Sequence, residues 1–118
     1  MRTITTSSED DTMDVGRTFA AELHAGDVLL IELQRSGPRG RYMPVEYWDD
    51  IFDTIQLHTK RGVVVIEAAG NGNEDLDHKE YKGKLDRKKR DSGAIMIGAG
   101  GPPREGFVDR AKLDYSNY

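Results

Sequence analysis

An α/β fold, a parallel β-sheet with flanking helices, is what the sequence predicts, and three observations predict it. Three short runs, VLLIELQ (Val28 to Gln34), VVVIEA (Val63 to Ala68) and AIMIGAG (Ala94 to Gly100), are almost continuously apolar. That is the pattern of strands covered on both faces, as in parallel sheets. Between the first two lies VEYWDDIFDTIQLHTKRG, where Trp48, Ile51, Phe52 and Ile55 recur at helical spacing. Strand, helix and strand in that order imply a right-handed parallel crossover. Finally, two of the runs end in small and polar residues, Gln34 to Gly40 and Ala69 to Asn73. In open α/β sheets ligands sit outside such carboxyl ends.

The elements follow in order. Residues 1 to 12 are a polar Ser/Thr/Asp/Glu segment expected to fray, and 13 to 118 form the folded domain. From Met13 to His24, Val15, Phe19 and Leu23 mark a helix that Gly26 stops. After the first strand, RSGPRGRYMP reads as a Gly/Pro-rich loop, and Pro44 marks entry into the central helix, with Lys60, Arg61 and Gly62 at its end. The second strand leads through GNGNEDLD into a charged excursion, Glu74 to Ser92, before the third strand. REGFVDRAKLDYSNY closes the chain as a loop into a further segment. Three strands and two helices cannot cover both faces of a sheet, so exposed sheet edges and an apolar face are expected to favour self-association or partner docking.

Composition narrows the function. The chain of 118 residues carries 17 Lys and Arg against 21 Asp and Glu, a net charge of -4, which supplies no general attraction to nucleic acid or anionic membrane. With Cys 0, disulfides, thiolate metal sites and a cysteine nucleophile are excluded. MRTITTSSEDDTMD lacks the basic start and apolar core of a secretory signal. No apolar run approaches the roughly 20 residues that span a bilayer. Other constellations read blandly. Asn73, Asp75 and Asp77 alternate as in a calcium loop, but the glycine and distal glutamate of that loop are missing at their offsets. The cations from Lys79 to Arg90 are interrupted by Glu80 and Asp86 and accompanied only by Tyr81, a poor nucleic-acid surface. GAGGPP fails as a phosphate loop, because Pro102 and Pro103 oppose the helix that should follow. Glu32 and Glu67 end two core strands, and on neighbouring strands they would lie side by side, sharing a proton or recruiting Arg35.

GVVVIEAAGNGNEDLD, Gly62 to Asp77, is the informative stretch: a buried strand delivers an asparagine, Asn71, to its own tip. Glycine and asparagine end strands because they tolerate positive φ. An amide held there also has a chemical use, donating to developing negative charge. The run into Ala68, Ala69, Gly70 and Asn71 resembles the subtilisin-like serine protease (subtilase) family. GDVLLIELQRSGP resembles that family's strand and loop along one wall of the substrate cleft, SGAIMIGAG the strand after its asparagine loop, and LDYSNY its Phe-Ser-Asn-Tyr-Gly segment, with Tyr115 at the aromatic position. The resemblance spans about residues 13 to 118.

Residue by residue, the resemblance implies an incomplete subtilisin-like core. Asn71 would be the side-chain donor of the oxyanion hole. Ala68, Ala69 and Gly70 would line one side of the specificity pocket, and Gln34, Arg35 and Ser36 the facing wall, whose backbone pairs with an extended polypeptide substrate. Arg35 departs from the family's small apolar pattern. The family works without an organic cofactor, allows calcium, and is often secreted. Its Asp-His-Ser triad has no counterpart: His24 ends a helix, His58 lies on one, His78 lies in a charged loop, and no Gly-Thr-Ser precedes a helix. The chain corresponds to the segment between the catalytic His and the catalytic Ser, and alone is not expected to hydrolyse peptides. A non-catalytic peptide-binding module of the same α/β class is the other expectation.

Overall fold

A computed structural model describes residues 21–118. Residues 1–20, and with them the polar segment and most of the helix expected from Met13 to His24, lie outside the described residues. What remains of that helix is residues 21–22, after which Gly26 turns at φ +92° and its N–H donates to Gly62 O at 2.9 Å.

The chain forms β1 (Val28–Ile31), β2 (Gln34–Ser36), β3 (Tyr42–Pro44), a 3-10 turn (Val45–Tyr47), α1 (Asp49–Lys60), β4 (Val64–Ala68), a second 3-10 turn (Lys79–Tyr81) and β5 (Ile95–Ile97). The sheet is parallel as expected, in the order β1-β4-β5, with Val28 beside Val64, Ile31 beside Glu67 and Glu67 beside Met96. The crossover from β1 to β4 carries α1, and the fold is mixed α/β because β2 and β3 form a separate antiparallel pair.

That hairpin corrects the sequence reading. The first strand was expected to run from Val28 to Gln34 and RSGPRGRYMP to be loop; instead β1 stops at Ile31 and Gln34 opens β2. Gly37 N–H donates to Arg41 O at 2.8 Å and Gly40 N–H to Gly37 O at 2.9 Å, closing a tight turn in which Pro38 presets φ and Gly40 adopts φ +69°. Strands of three residues are too short to display a period of two, so the turn chemistry was legible and the strands beside it were not.

α1 starts at Asp49 and Asp50, whose charges suit the amino end of the helix dipole, and ends with His58 and Lys60 at the other. Trp48, expected on the helical stripe, is its N-cap, and its ring sits under the Arg35 guanidinium at 4.9 Å and against Tyr47. Ile55, Val63, Val65 and Ala94 form the core, with Leu23, Leu29, Ile31 and Ile51 packed around them. The opposite sheet face departs from the expectation of strands covered on both sides: Val28 and Leu30 are about 60% exposed, and Val64, Ile95 and Ile97 are exposed beside them. Among the described residues nothing packs on that face.

Candidate functional site

The loop after β4 carries the stretch singled out in the sequence. Ala69 N–H donates to Ile97 O at 2.9 Å, extending the ladder one residue past β4. The chain then turns at Gly70, φ +94°, where a Cβ would stand 2.9 Å from Asn117 Nδ2 and 3.2 Å from Tyr42 O. Gly72 is tighter still, since its Cβ would meet Tyr42 O at 2.6 Å. Neither position admits a side chain, because this loop lies against the backbone of β3. Between them Asn71 is exposed, and its backbone N–H donates to Gln34 Oε1 at 2.7 Å. Its own carboxamide bonds to nothing among the described residues and is free for a ligand. The asparagine is thus exposed and lies beside Gln34 at the start of β2.

Other expected residues divide. Ala68, Gly70 and Asn71 line a hollow of about 310 Å³ with Leu30, Glu32 and Ile66. Ala69 is buried and faces a second hollow of about 400 Å³ beside Leu76, Met96 and Lys112. Arg35 and Ser36 are exposed on β2 and line neither hollow; Arg35 is occupied by Trp48.

The hairpin has one covered and one open edge. Because Gly37 N–H meets Arg41 O and Pro44 has no N–H, the antiparallel alternation makes Arg35 and Met43 the hydrogen-bonded pair. Tyr42 therefore turns its carbonyl outward, where Asn117 Nδ2 donates to it at 2.6 Å. Gln34 and Ser36 turn their backbone groups to the other edge, where nothing among the described residues meets them.

Beneath the sheet lies an acidic cluster that corrects a second expectation. Glu67 is fully buried, but its neighbour is Glu46, not Glu32. Ile31 is the register partner of Glu67, so Glu32 falls one residue beyond it, exposed, and cannot share the buried side. Glu67 Oε1 accepts from Glu46 N–H at 2.9 Å, Ser92 Oγ donates to the Glu46 carboxylate, and Glu67 Oε2 is buried without a partner. Desolvation, and then the charge of Glu46, push the Glu67 carboxyl up to about 7. Arg35 was not recruited; the cation whose charge acts on Glu67 is Arg87.

The charged excursion is tied back by its own ions. Arg39, at the tip of the hairpin, meets buried Glu74 at 3.0 Å and Glu80 at 3.1 Å, and its Nη1 lies 3.0 Å from His78 Nε2. Glu80, by hydrogen bonding, and Glu74, by its charge, hold the Arg39 guanidinium above its ordinary value. Lys84 and Arg90 share Asp49, and Lys89 pairs with Asp86. In the loop that resembled a calcium site, Asn73 Oδ1 accepts from Lys112 Nζ and Asp75 Oδ1 from Asp77 N–H, both at 2.9 Å. Among the described residues no group of three His, Asp or Glu side chains converges as metal ligands, and no helix is long and apolar enough to cross a membrane.

No histidine among the described residues bonds to a serine. His24 lies by Asp27, His78 by Arg39, and His58 is buried in α1 with Nδ1 unpartnered. Sequence reasoning missed Asn117 and Ser116, which are 2% and 1% exposed. Their segment had been noticed, but nothing in LDYSNY says which distant carbonyls a side chain will meet. Comparison of the chain with models of known families, with curated proteins and with solved structures gave no significant match.

Proposed function

We propose that this chain is part of a subtilisin-like serine endopeptidase, carrying the oxyanion-hole donor and parts of the substrate cleft but not the catalytic triad. The observation that carries the reading is Asn71: an unpartnered carboxamide at the carboxyl end of a parallel strand, with its backbone pinned by Gln34. In acyl transfer the former carbonyl oxygen becomes an alkoxide, and a donor already in place stabilises that charge more than the ground state. Losing such a donor lowers turnover about 100- to 1,000-fold, a magnitude that comes from subtilisin itself. The open edge of β2 supports the other half of the reading, since an extended peptide can add there as a strand with the groups of Gln34 and Ser36.

The same open edge favours a second reading, a peptide-binding module without catalysis. Both readings expect this chain to bind an extended peptide. They differ in that a protease segment uses Asn71 at the scissile carbonyl, whereas a module needs only the β2 edge.

The test is titration of the isotopically labelled chain with an uncharged hexapeptide, followed by residue-resolved spectra. Shifts at Gln34, Arg35, Ser36, Gly70 and Asn71, with affinity lowered in Asn71→Ala, are the expected result. Shifts confined to β2 and indifferent to Asn71 select the module. Perturbation elsewhere, or none, removes both. Exposure to a serine-directed phosphonate is expected to leave the chain unmodified; labelling would contradict the missing triad.

A further inference from the structure

We infer that Asn117 is the positioning residue of the candidate site, holding the Asn71 loop and the β2–β3 hairpin as one rigid body. The inference rests on the reading of Asn71 as a ligand-facing donor and adds what sets its position.

The Asn117 carboxamide is buried, and both its donors and both lone pairs of its oxygen are used within the site. Oδ1 accepts from Gly72 N–H at 2.9 Å and from Glu74 N–H at 3.0 Å. Nδ2 donates to Tyr42 O at 2.6 Å and to Ala69 O at 2.7 Å. One side chain therefore fastens both flanks of Asn71 to β3. The backbone repeats the grip: Asn117 N–H donates to Gly70 O at 3.0 Å and Asn73 N–H to Tyr115 O at 2.9 Å. Ser116 extends it to the neighbouring strand end, its Oγ accepting from Ala99 N–H and donating to Asn117 O, both at 2.9 Å.

Asn71 itself touches none of this. Its one bond, to Gln34, reaches the hairpin from the other side, and its direction depends on Gly70 and Gly72 staying where Asn117 holds them. The two glycines fit the same account, because the space a Cβ would need is taken by Asn117 and the Tyr42 backbone. A primary carboxamide meets the demand for two acceptances and two donations in one plane; aspartate would turn a carboxylate oxygen onto two carbonyls.

The experiment compares amide exchange and peptide affinity in the whole chain for the wild type, Asn117→Asp, and Ile55→Val as a destabilised control in the core. Asn71 N–H, which Asn117 does not touch, is the informative probe. In Asn117→Asp it is expected to exchange about tenfold faster, with peptide affinity reduced about tenfold, the scale of one lost buried hydrogen bond. Ile55→Val is expected to leave both unchanged. Faster exchange at Gly72 and Glu74 alone, with Asn71 N–H as in the wild type, would overturn the inference, and so would an equal effect of the control. Should Asn117→Asp not fold, Asn117→Ser carries the same test without the charge. A wild-type chain that binds no peptide would sink the proposed function, while exchange at Asn71 would still decide the role of Asn117.

Discussion

Removing the charge at Glu67 is expected to change how stability depends on pH. Glu67 is fully buried, one oxygen accepts from Glu46 N–H, the other has no partner, and the carboxyl titrates near 7 instead of 4.5. The folded chain therefore holds a proton that the unfolded chain has already released between those two values. Stability from this group is complete below the unfolded value and is lost as pH rises through the folded one. At 1.36 kcal/mol per pH unit the difference amounts to about 3 kcal/mol, a large share of the roughly 5–15 kcal/mol that holds a small domain together. Glu67→Gln keeps the acceptor and has no charge to release. It is expected to match the wild type near pH 4.5 and to exceed it by up to about 3 kcal/mol at pH 8. Urea unfolding followed by the fluorescence of Trp48 reads this directly. With a slope of about 1.5 kcal/mol per molar, the midpoints at pH 8 separate by about 2 M. Wild-type and Glu67→Gln profiles that run parallel across this range would refute the burial argument.

Two further outcomes follow from the packing. Gly72→Ala places a methyl 2.6 Å from Tyr42 O and 2.8 Å from Asn117 Oδ1, and the displacement is expected to cost about 1–3 kcal/mol in the urea midpoint; a cost within error would mean that the loop does not lie against β3. The sheet face that the described residues leave exposed, with Val28, Leu30, Val64, Ile95 and Ile97, predicts self-association in sedimentation at micromolar concentration. A compact, cooperatively melting monomer would count against it.

Much of the sheet and part of the candidate site could be read in advance from local chemistry. Apolar runs without alternation placed β1, β4 and β5 in a parallel sheet, helical spacing placed α1, and glycine with asparagine placed a loop at the strand tip. Each depends on neighbours in the chain, and a sequence records neighbours directly. The hairpin escaped because three-residue strands carry no period. The partner of Glu67 was misassigned because strand-end proximity was inferred without register, and a shift of one residue moves a side chain to the other face.

Residue types and their order placed an asparagine at the end of a strand expected to be parallel, in a chain without cysteine. Its orientation was a tertiary matter. Gln34 and Asn117 lie 37 and 46 positions from Asn71, and only the folded backbone brings them to either side of it. Hydrogen bonds fall off within a fraction of an ångström, whereas the sequence specifies separation along the chain and says little of approach through space.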